Sequence, residues 1–392
     1  MANIAIFGYY GQRNIGDEAI LSSLLTGIRG KVHEANITVF SADTDYTKEL
    51  HGVAAQRSVM PVTLKRVVMA SLGNRRRSFY KALHAAFRTD VVVVGGGGLL
   101  VDGLTSNEHL LELLNFINML KKRFHKRVCL IGVSAGPIFH KTSERALRAA
   151  LSGLDAITVR DQESKKLLQG FGIDAPPVMV APDLAFDLTA SEPSVIDGIM
   201  LSESLGQSGR PVVAVTPCSY NHFRSGWIDA YVEFCLHAVD HLAAELWLIP
   251  MQTSVRNDDR SSTREIARKV GRSRFVKCIE GSYGPRDILG LIGRADAVLA
   301  ERFHGVIFGV NAATPVLGIG YMPKVTRLFK EMARPEWCMD IGNLDSRTLI
   351  VEFERIFSER QKIAEELSGF SDRCRLLAKE HYDVVSRIVN LG

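Results

Sequence analysis

What this chain lacks narrows its function before anything it contains. No two of its six cysteines, at 129, 218, 235, 278, 338 and 374, stand in a C-x-x-C spacing. A zinc site is therefore not expected, and the scatter fits a reducing cytoplasm. Cys129 lies in an apolar run and reads as core. No basic leader precedes the short apolar start, so no signal peptide is expected. Long uncharged stretches are nearly missing. The exception, residues 305–322, holds Asn311, Pro315 and four glycines, and it reads as helix, turn and strand rather than a membrane span. Short-period repeats and low-complexity segments are also missing.

Two nucleotide signatures are lacking as well. The turn after the first apolar run reads Gly8-Tyr9-Tyr10-Gly11-Gln12-Arg13-Asn14-Ile15-Gly16-Asp17-Glu18. It has no G-x-G-x-x-G. Gly11 and Gly16 have the spacing of a P-loop, but Asp17 and Glu18 stand where Lys and Ser or Thr are needed. Two carboxylates would repel a triphosphate. Residues 50–89 lack acid altogether and carry Arg57, Lys65, Arg66, Arg75, Arg76, Arg77, Lys81 and Arg88, while the net charge of the whole is only +5. Such a window is most simply a solvated face. The sharper expectation is peripheral contact of residues 57–88 with an anionic membrane or a lipid diphosphate. Nucleic acid is not expected, because the basic residues there are little interleaved with aromatic stacking residues such as Phe79 and Tyr80.

What is present is 392 residues, ordinary in hydrophobic (46%) and charged (23%) content, enough for two domains. Short apolar runs alternate with helical patterns, as in parallel α/β domains. Strands are expected at Asn3–Phe7, Ile37–Phe40, Val91–Val94, Val128–Ile131 and Ala156–Val159 in the first half. The second half repeats the style at Val212–Thr216, Leu246–Pro250, Arg274–Cys278, Ala297–Ala300 and Val316–Ile319. Residues 185–209, rich in Ser, Pro, Asp and Gly, are the expected linker. The expected domains are thus 1–187 on the acceptor side and 208–392 on the donor side, with a C-terminal helix returning to the first. Two Rossmann-like parallel-sheet domains facing a cleft make a glycosyltransferase-B-like plan.

His304 and Lys324 each open a predicted helix just after a buried strand. Adjacent strand–helix junctions of a parallel sheet lie side by side at the carboxyl edge. With Arg302 beside them, they suit a small anion at helix N-termini. An isolated histidine is more often an ordinary, partly buried one. A first-turn lysine is mildly unfavourable unless something negative offsets it. Gly95–Gly98 follow a strand and admit either a tight turn or a ligand against backbone N–H groups, with Gly96 and Gly97 central. Asp17 and Glu18 either cap a helix or meet sugar hydroxyls, and Asp17 is the candidate to take a proton. Arg160 pairs with Asp161 or grips a carboxylate, and Asp161 is a natural N-cap. Ser134-Ala135-Gly136-Pro137 reads as another edge loop. Asp43-Thr44-Asp45 resembles a metal–nucleotide D-x-D but has no supporting ligands and reads as a loop.

At these residues the chain resembles the polysaccharide pyruvyl transferase family. The matching pieces are Asn14-x-Gly16-Asp17-Glu18, Gly95–Gly98, Ser134-x-Gly136-Pro137, Val159-Arg160-Asp161, Pro182-Asp183, Arg302-x-His304-Gly305 and Gly320-Tyr321-x-Pro323-Lys324-Val325, in family order. They extend from residue 3 to about 330. The chain departs from the usual pattern at Phe303, commonly Leu, and at Met322, often acidic. The resemblance implies transfer of an enolpyruvyl-derived group from phosphoenolpyruvate to a sugar of a cell-envelope or exopolysaccharide precursor, giving a pyruvate ketal and phosphate. The acceptor is often lipid-linked, at the cytoplasmic membrane face. The resemblance further implies that Arg160, His304 and Lys324 bind the donor, with phosphoenolpyruvate as substrate and no cofactor or metal. His304, with an ordinary pKa near ~6.5, is the candidate acid for the methylene carbon. The alternatives are a nucleotide-sugar glycosyltransferase of the same plan and a non-catalytic glycan-binding member.

Overall fold

The computed structural model describes residues 2–58, 88–103, 106–221, 224–254, 257–272 and 274–391. The chain forms two compact units. One comprises residues 1–12, 17–187 and 374–392; the other comprises 13–16 and 188–373.

Among the described residues, the first unit holds strands β1 (Asn3–Phe7), β2 (Asn36–Ser41), β3 (Ala54–Arg57), β4 (Val91–Leu100), β5 (Arg127–Ala135), β6 (Ala156–Val159) and β7 (Val178–Val180), in the order 3-2-1-4-5-6-7. Every recorded pair is parallel. Helices cover the strands, so Val91–Val94 are buried throughout, as doubly wound parallel strands must be. Phe7 stacks on Phe40 at 4.0 Å and meets Phe116 at 4.8 Å within this core. The order reverses between β1 and β4, which is where such sheets open a ligand crevice at their carboxyl edge.

The second unit holds β8 (Val212–Thr216), β9 (Glu245–Leu248), β12 (Val276–Cys278), β13 (Ala297–Ala300), β14 (Val316–Gly320) and β15 (Cys338–Asp340), in the order 12-9-8-13-14-15. These pairs are parallel too. A separate antiparallel pair joins β10 (Thr253–Ser254) and β11 (Asn257–Asp258). The sheet order reverses between β8 and β13. Residues 13–16 add a short edge to this unit: Ile15 N donates to Met251 O at 2.9 Å and Thr253 N to Arg13 O at 3.0 Å.

Three local expectations change. The compositional linker 185–209 contains a ten-residue helix, Pro193–Ser202, begun by a proline at its first turn. Gly95–Gly98 do not end β4 in a turn. The strand runs on to Leu100, with a register shift between Gly97 and Leu100. Likewise β5 continues through Ser134 and Ala135, expected as loop. At the chain's end, helix Glu380–Asn390 packs on the first unit's sheet. His381, fully buried, donates from Nε2 to Pro182 O at 2.9 Å and accepts at Nδ1 from Thr158 Oγ1 at 2.7 Å. The Tyr382 ring occupies the space that a side chain at Gly27 would need.

Among the described residues no helix is long and apolar enough to cross a membrane. The contact expected of residues 57–88 rests mostly on Lys65, Arg66, Arg75, Arg76, Arg77 and Lys81, which lie outside the described residues.

Candidate active site

In the first unit the β1 loop is shaped from below. Tyr10 donates to Gly95 O at 2.7 Å. Glu18, fully buried, accepts from Gly11 N at 2.8 Å and meets His51 Nε2 at 2.9 Å. Glu18 therefore holds the loop instead of facing a sugar hydroxyl. Its neighbour Asp17 differs. It stands in the first turn of helix Ile15–Lys31, half-buried, where the helix dipole favours a carboxylate. The space of a Cβ at Gly97 lies 2.8 Å from Asp17 Oδ1, and Gly97 has φ +74°. Only a glycine permits both the left-handed bulge and the close carboxylate. Asp17, Gly96 and Gly97 are thus brought together at the switch point of this sheet.

Arg160 lies apart from them, at the end of β6. It is 6% exposed. Nη1 pairs with Asp183 Oδ2 at 2.6 Å and Nε donates to Ser134 Oγ at 2.5 Å. Asp161 caps helix Gln162–Gly170 through Ser164 N, as expected, and accepts from Ser134 Oγ at 3.1 Å. Of the guanidinium fork expected to grip a substrate carboxylate, Nη1 is engaged by an internal carboxylate and Nε by a hydroxyl. Asp43 also turns out to be a helix cap, accepting from Tyr46 N.

In the second unit, Glu301, Arg302, Phe303 and His304 follow β13 directly. Arg302 is buried and forked on Asp259: Nε to Oδ2 at 2.9 Å, Nη2 to Oδ1 at 2.6 Å. Burial alone would lower its pKa, but the Asp259 carboxylate outweighs that and holds it well above the usual value. Asp259 also accepts from Ser219, Met251 and Gln252 N–H groups. The pair ties the β8, β9 and β13 loops together, so Arg302 is a positioning residue for its neighbours. The Arg302 guanidinium also lies 4.8 Å from the centre of the Tyr220 ring, whose residue remains exposed. Glu301 is held by Cys218 N, Asn221, Trp227 and Tyr231. Burial pushes its carboxyl up to about 7.

His304 and Lys324 are half-buried. They sit at the ends of β13 and β14, paired neighbours in register Ala300–Gly318. Both lie near Phe303: its ring centre is 5.3 Å from the His304 ring and 5.3 Å from Lys324 Nζ. Gly16 forms the floor beneath the imidazole. A Cβ there would fall 1.8 Å from His304 Nδ1, so any other residue would displace the ring. Asn14 fixes Gly16 by accepting from its N–H at 3.0 Å and pairing with Gln252. Gly305 has a related reason: a Cβ would meet Thr216 Oγ1 at 2.3 Å, blocking the approach of helix Phe303–Asn311 to β8.

The polysaccharide pyruvyl transferase family model matches residues 14–322. The chain belongs to that family. It is 21% identical over 418 aligned residues to the amylovoran biosynthesis protein AmsJ of Erwinia amylovora, covering 96% of this chain and 97% of that one. Among solved structures it is similar to UDP-GlcNAc 2-epimerase from Neisseria meningitidis bound to UDP-GlcNAc, with TM-score 0.66, 13% identity and full coverage of both chains. It is similar also to a glycosyltransferase from Rickettsia africae, with TM-score 0.60, 10% identity and coverage of 98% and 96%. At these identities the likeness shows the fold, which is glycosyltransferase-B-like. Family membership makes the protein a transferase of polysaccharide biosynthesis.

The family pieces now divide by task. Asn14 and Gly16 floor His304, and Gly305 lets its helix approach β8. Arg302, Glu18 and Asp183 form buried pairs and contacts that set loop shape. His304, Lys324 and Asp17 keep partial exposure. Asp259 and Glu301 were missed in the sequence. Glu301 adjoins the Arg302 motif, but nothing in the sequence distinguished Asp259 from Asp258.

Proposed function

We propose that this transferase moves a pyruvyl group from phosphoenolpyruvate to a sugar diol of an exopolysaccharide precursor, forming a cyclic ketal and releasing phosphate. The observation that carries this reading is the His304–Phe303–Lys324 arrangement at adjacent strand ends, floored by Gly16. It offers an anion a cation and a proton donor in one place, supported by two helix N-termini. Lys324 neutralises a donor oxyanion, and Arg160, paired with Asp183, is the further donor-binding cation that the family resemblance implies. His304 gives its proton to the methylene carbon as the C2=C3 electron pair forms the new C–H bond. C2 becomes oxocarbenium-like, and the first hydroxyl oxygen bonds to it. Phosphate leaves with the C2–O electron pair, and the second hydroxyl closes the ketal. Two hydroxyl protons are released in all: one replaces the proton given to the methylene, the other leaves with phosphate. Asp17, over Gly97, orients the acceptor hydroxyl and accepts its hydrogen bond.

The test is phosphate release from phosphoenolpyruvate across a panel of acceptor glycans, with the product weighed. The expected product is heavier by one pyruvate less one water. Turnover of a nucleotide sugar, with none of phosphoenolpyruvate, would place the protein with the glycosyltransferases whose fold it shares.

A further inference from the structure

His51, His140 and His237 each pair with a carboxylate, and the three pairs are not alike. His51 and Glu18 are both sealed, with side chains 3% and 0% exposed. His237 and Glu354 are both at the surface, 21% and 46% exposed. His140 and Asp102 combine the two conditions: the carboxylate is 0% exposed and the imidazole 34%. A buried acid holding an accessible imidazole is the arrangement a general base requires, since the acid sets orientation and tautomer while the free edge meets the substrate.

The position fits as well. Asp102 lies two residues beyond β4 and His140 five beyond β5, on neighbouring strands of the first unit. This is the carboxyl edge that also carries Asp17 over Gly97. Asp102 receives donors throughout: Phe139 N at 2.6 Å, His140 N at 3.2 Å and His140 Nδ1 at 3.1 Å. Burial would raise its carboxyl, but the hydrogen bonds from Phe139, Ser143 and His140 outweigh that and hold it below the ordinary value. An ionised carboxylate only accepts, so His140 Nδ1 carries the hydrogen toward Asp102 and Nε2 is the edge of the ring left to face a substrate. The support is firm: Asn107 Nδ2 donates to Thr142 Oγ1 and Ser143 Oγ, both at 2.9 Å, at the start of the helix that follows. The exposed ring of Phe139 stands beside His140 in the chain.

We propose that His140, positioned by Asp102, is the base that deprotonates an acceptor hydroxyl. This rests on the sugar-diol acceptor above. The hydroxyl O–H bond breaks, its electron pair forms the bond to C2, and the proton passes to His140 Nε2. The imidazolium passes it through solvent to the departing phosphate, the proton that the overall balance assigns there. His140 is thereby a catalytic residue and Asp102 a positioning residue.

The experiment has two arms on the full chain. In the first, His140→Gln should lower kcat about 100-fold or more, with KM for phosphoenolpyruvate and its effect on the melting temperature unchanged. Imidazole added to His140→Gly should restore turnover, which a purely structural role would not allow. Wild-type kcat in a folded His140→Gln protein would overturn the proposal. The second arm needs no turnover. Nitrogen-detected NMR at a pH where the ring is neutral should show Nδ1 protonated in wild type and the proton moved to Nε2 in Asp102→Asn. An Nε2-protonated ring in wild type would overturn the proposal whatever the donor is. Wild-type protein inert toward phosphoenolpyruvate would count against the donor reading alone, and the tautomer would still decide the dyad.

Discussion

The two sheet edges handle charge in opposite ways. The first unit closes Glu18 on His51 and Asp183 on Arg160. Its half-exposed groups include Asp17, an acceptor, and His140. The second unit closes Arg302 on Asp259 but buries Glu301 among neutral donors, and its half-exposed groups are His304 and Lys324. One edge therefore offers hydrogen-bond acceptors, which suit hydroxyls. The other offers a cation and an imidazole, which suit an anion. The contrast teaches that proximity of a charged residue to the site motif does not make it a ligand-binding group. The closed pairs set loop shape, and residues one or two positions away, such as Asp17 and His304, keep partial exposure.

Breaking a closed pair should have the largest effect. Asp259→Ala leaves Arg302 buried without its counter-charge and should cost about 3–5 kcal/mol of stability in denaturant unfolding. Asp183→Ala should do the same to Arg160. Near-wild-type stability in both would end the distinction between the buried pairs and the half-exposed groups.

Glu301 sharpens the contrast within one unit. Its carboxyl is raised from 4.5 to about 7, so the folded protein holds a proton there that the unfolded chain has released. Stability is then fully present below pH 4.5 and falls as pH rises through 7, by roughly 3 kcal/mol at 1.36 kcal/mol per pKa unit. Glu301→Gln should flatten that part of the stability–pH curve. An unchanged slope in the variant would assign it to other groups.

Gly16→Ala moves His304 without touching its chemistry. A Cβ 1.8 Å from Nδ1 must displace the ring. A misplacement of that order should lower kcat about 100-fold, while thermal unfolding shifts little because His304 is half-exposed. Full activity would show that the floor beneath the imidazole is unimportant. Lys324→Ala is the mildest. Losing one charge-assisted contact should weaken phosphoenolpyruvate binding by roughly 1.5–3 kcal/mol and leave stability within about 0.5 kcal/mol. A large loss of stability would make Lys324 a structural residue instead.

Strands were the most legible part of the sequence. Asn3–Phe7, Ala156–Val159, Val212–Thr216 and Ala297–Ala300 stand at the expected bounds, because buried parallel strands are short, continuous apolar runs. Glycines misled at Gly95–Gly98, where a strand absorbs positive φ in a bulge and keeps pairing. The 185–209 segment misled because one helix can hide in a Ser- and Pro-rich stretch when its proline sits in the first turn. At the site, the residues themselves were readable and their partners were not. Arg302 and Asp259 are 43 positions apart, and Arg160 and Asp183 are 23. Local spacing carries no signal for such pairs. The burial that turned Glu18 inward and left Asp17 half-exposed was unreadable for the same reason, since two adjacent acids in one helix turn look equivalent until the β1 loop is folded over one of them.

The central claim is that the second unit's edge is a phosphoenolpyruvate site built on His304 and Lys324. Calorimetric titration of wild-type protein and Lys324→Ala with phosphoenolpyruvate, and separately with a UDP-sugar, tests it most directly. The account predicts saturable phosphoenolpyruvate binding to wild type, binding at least tenfold weaker in Lys324→Ala (roughly what one charge-assisted contact contributes) and no UDP-sugar binding. Equal phosphoenolpyruvate affinity in the two proteins, or binding of the UDP-sugar alone, would contradict it.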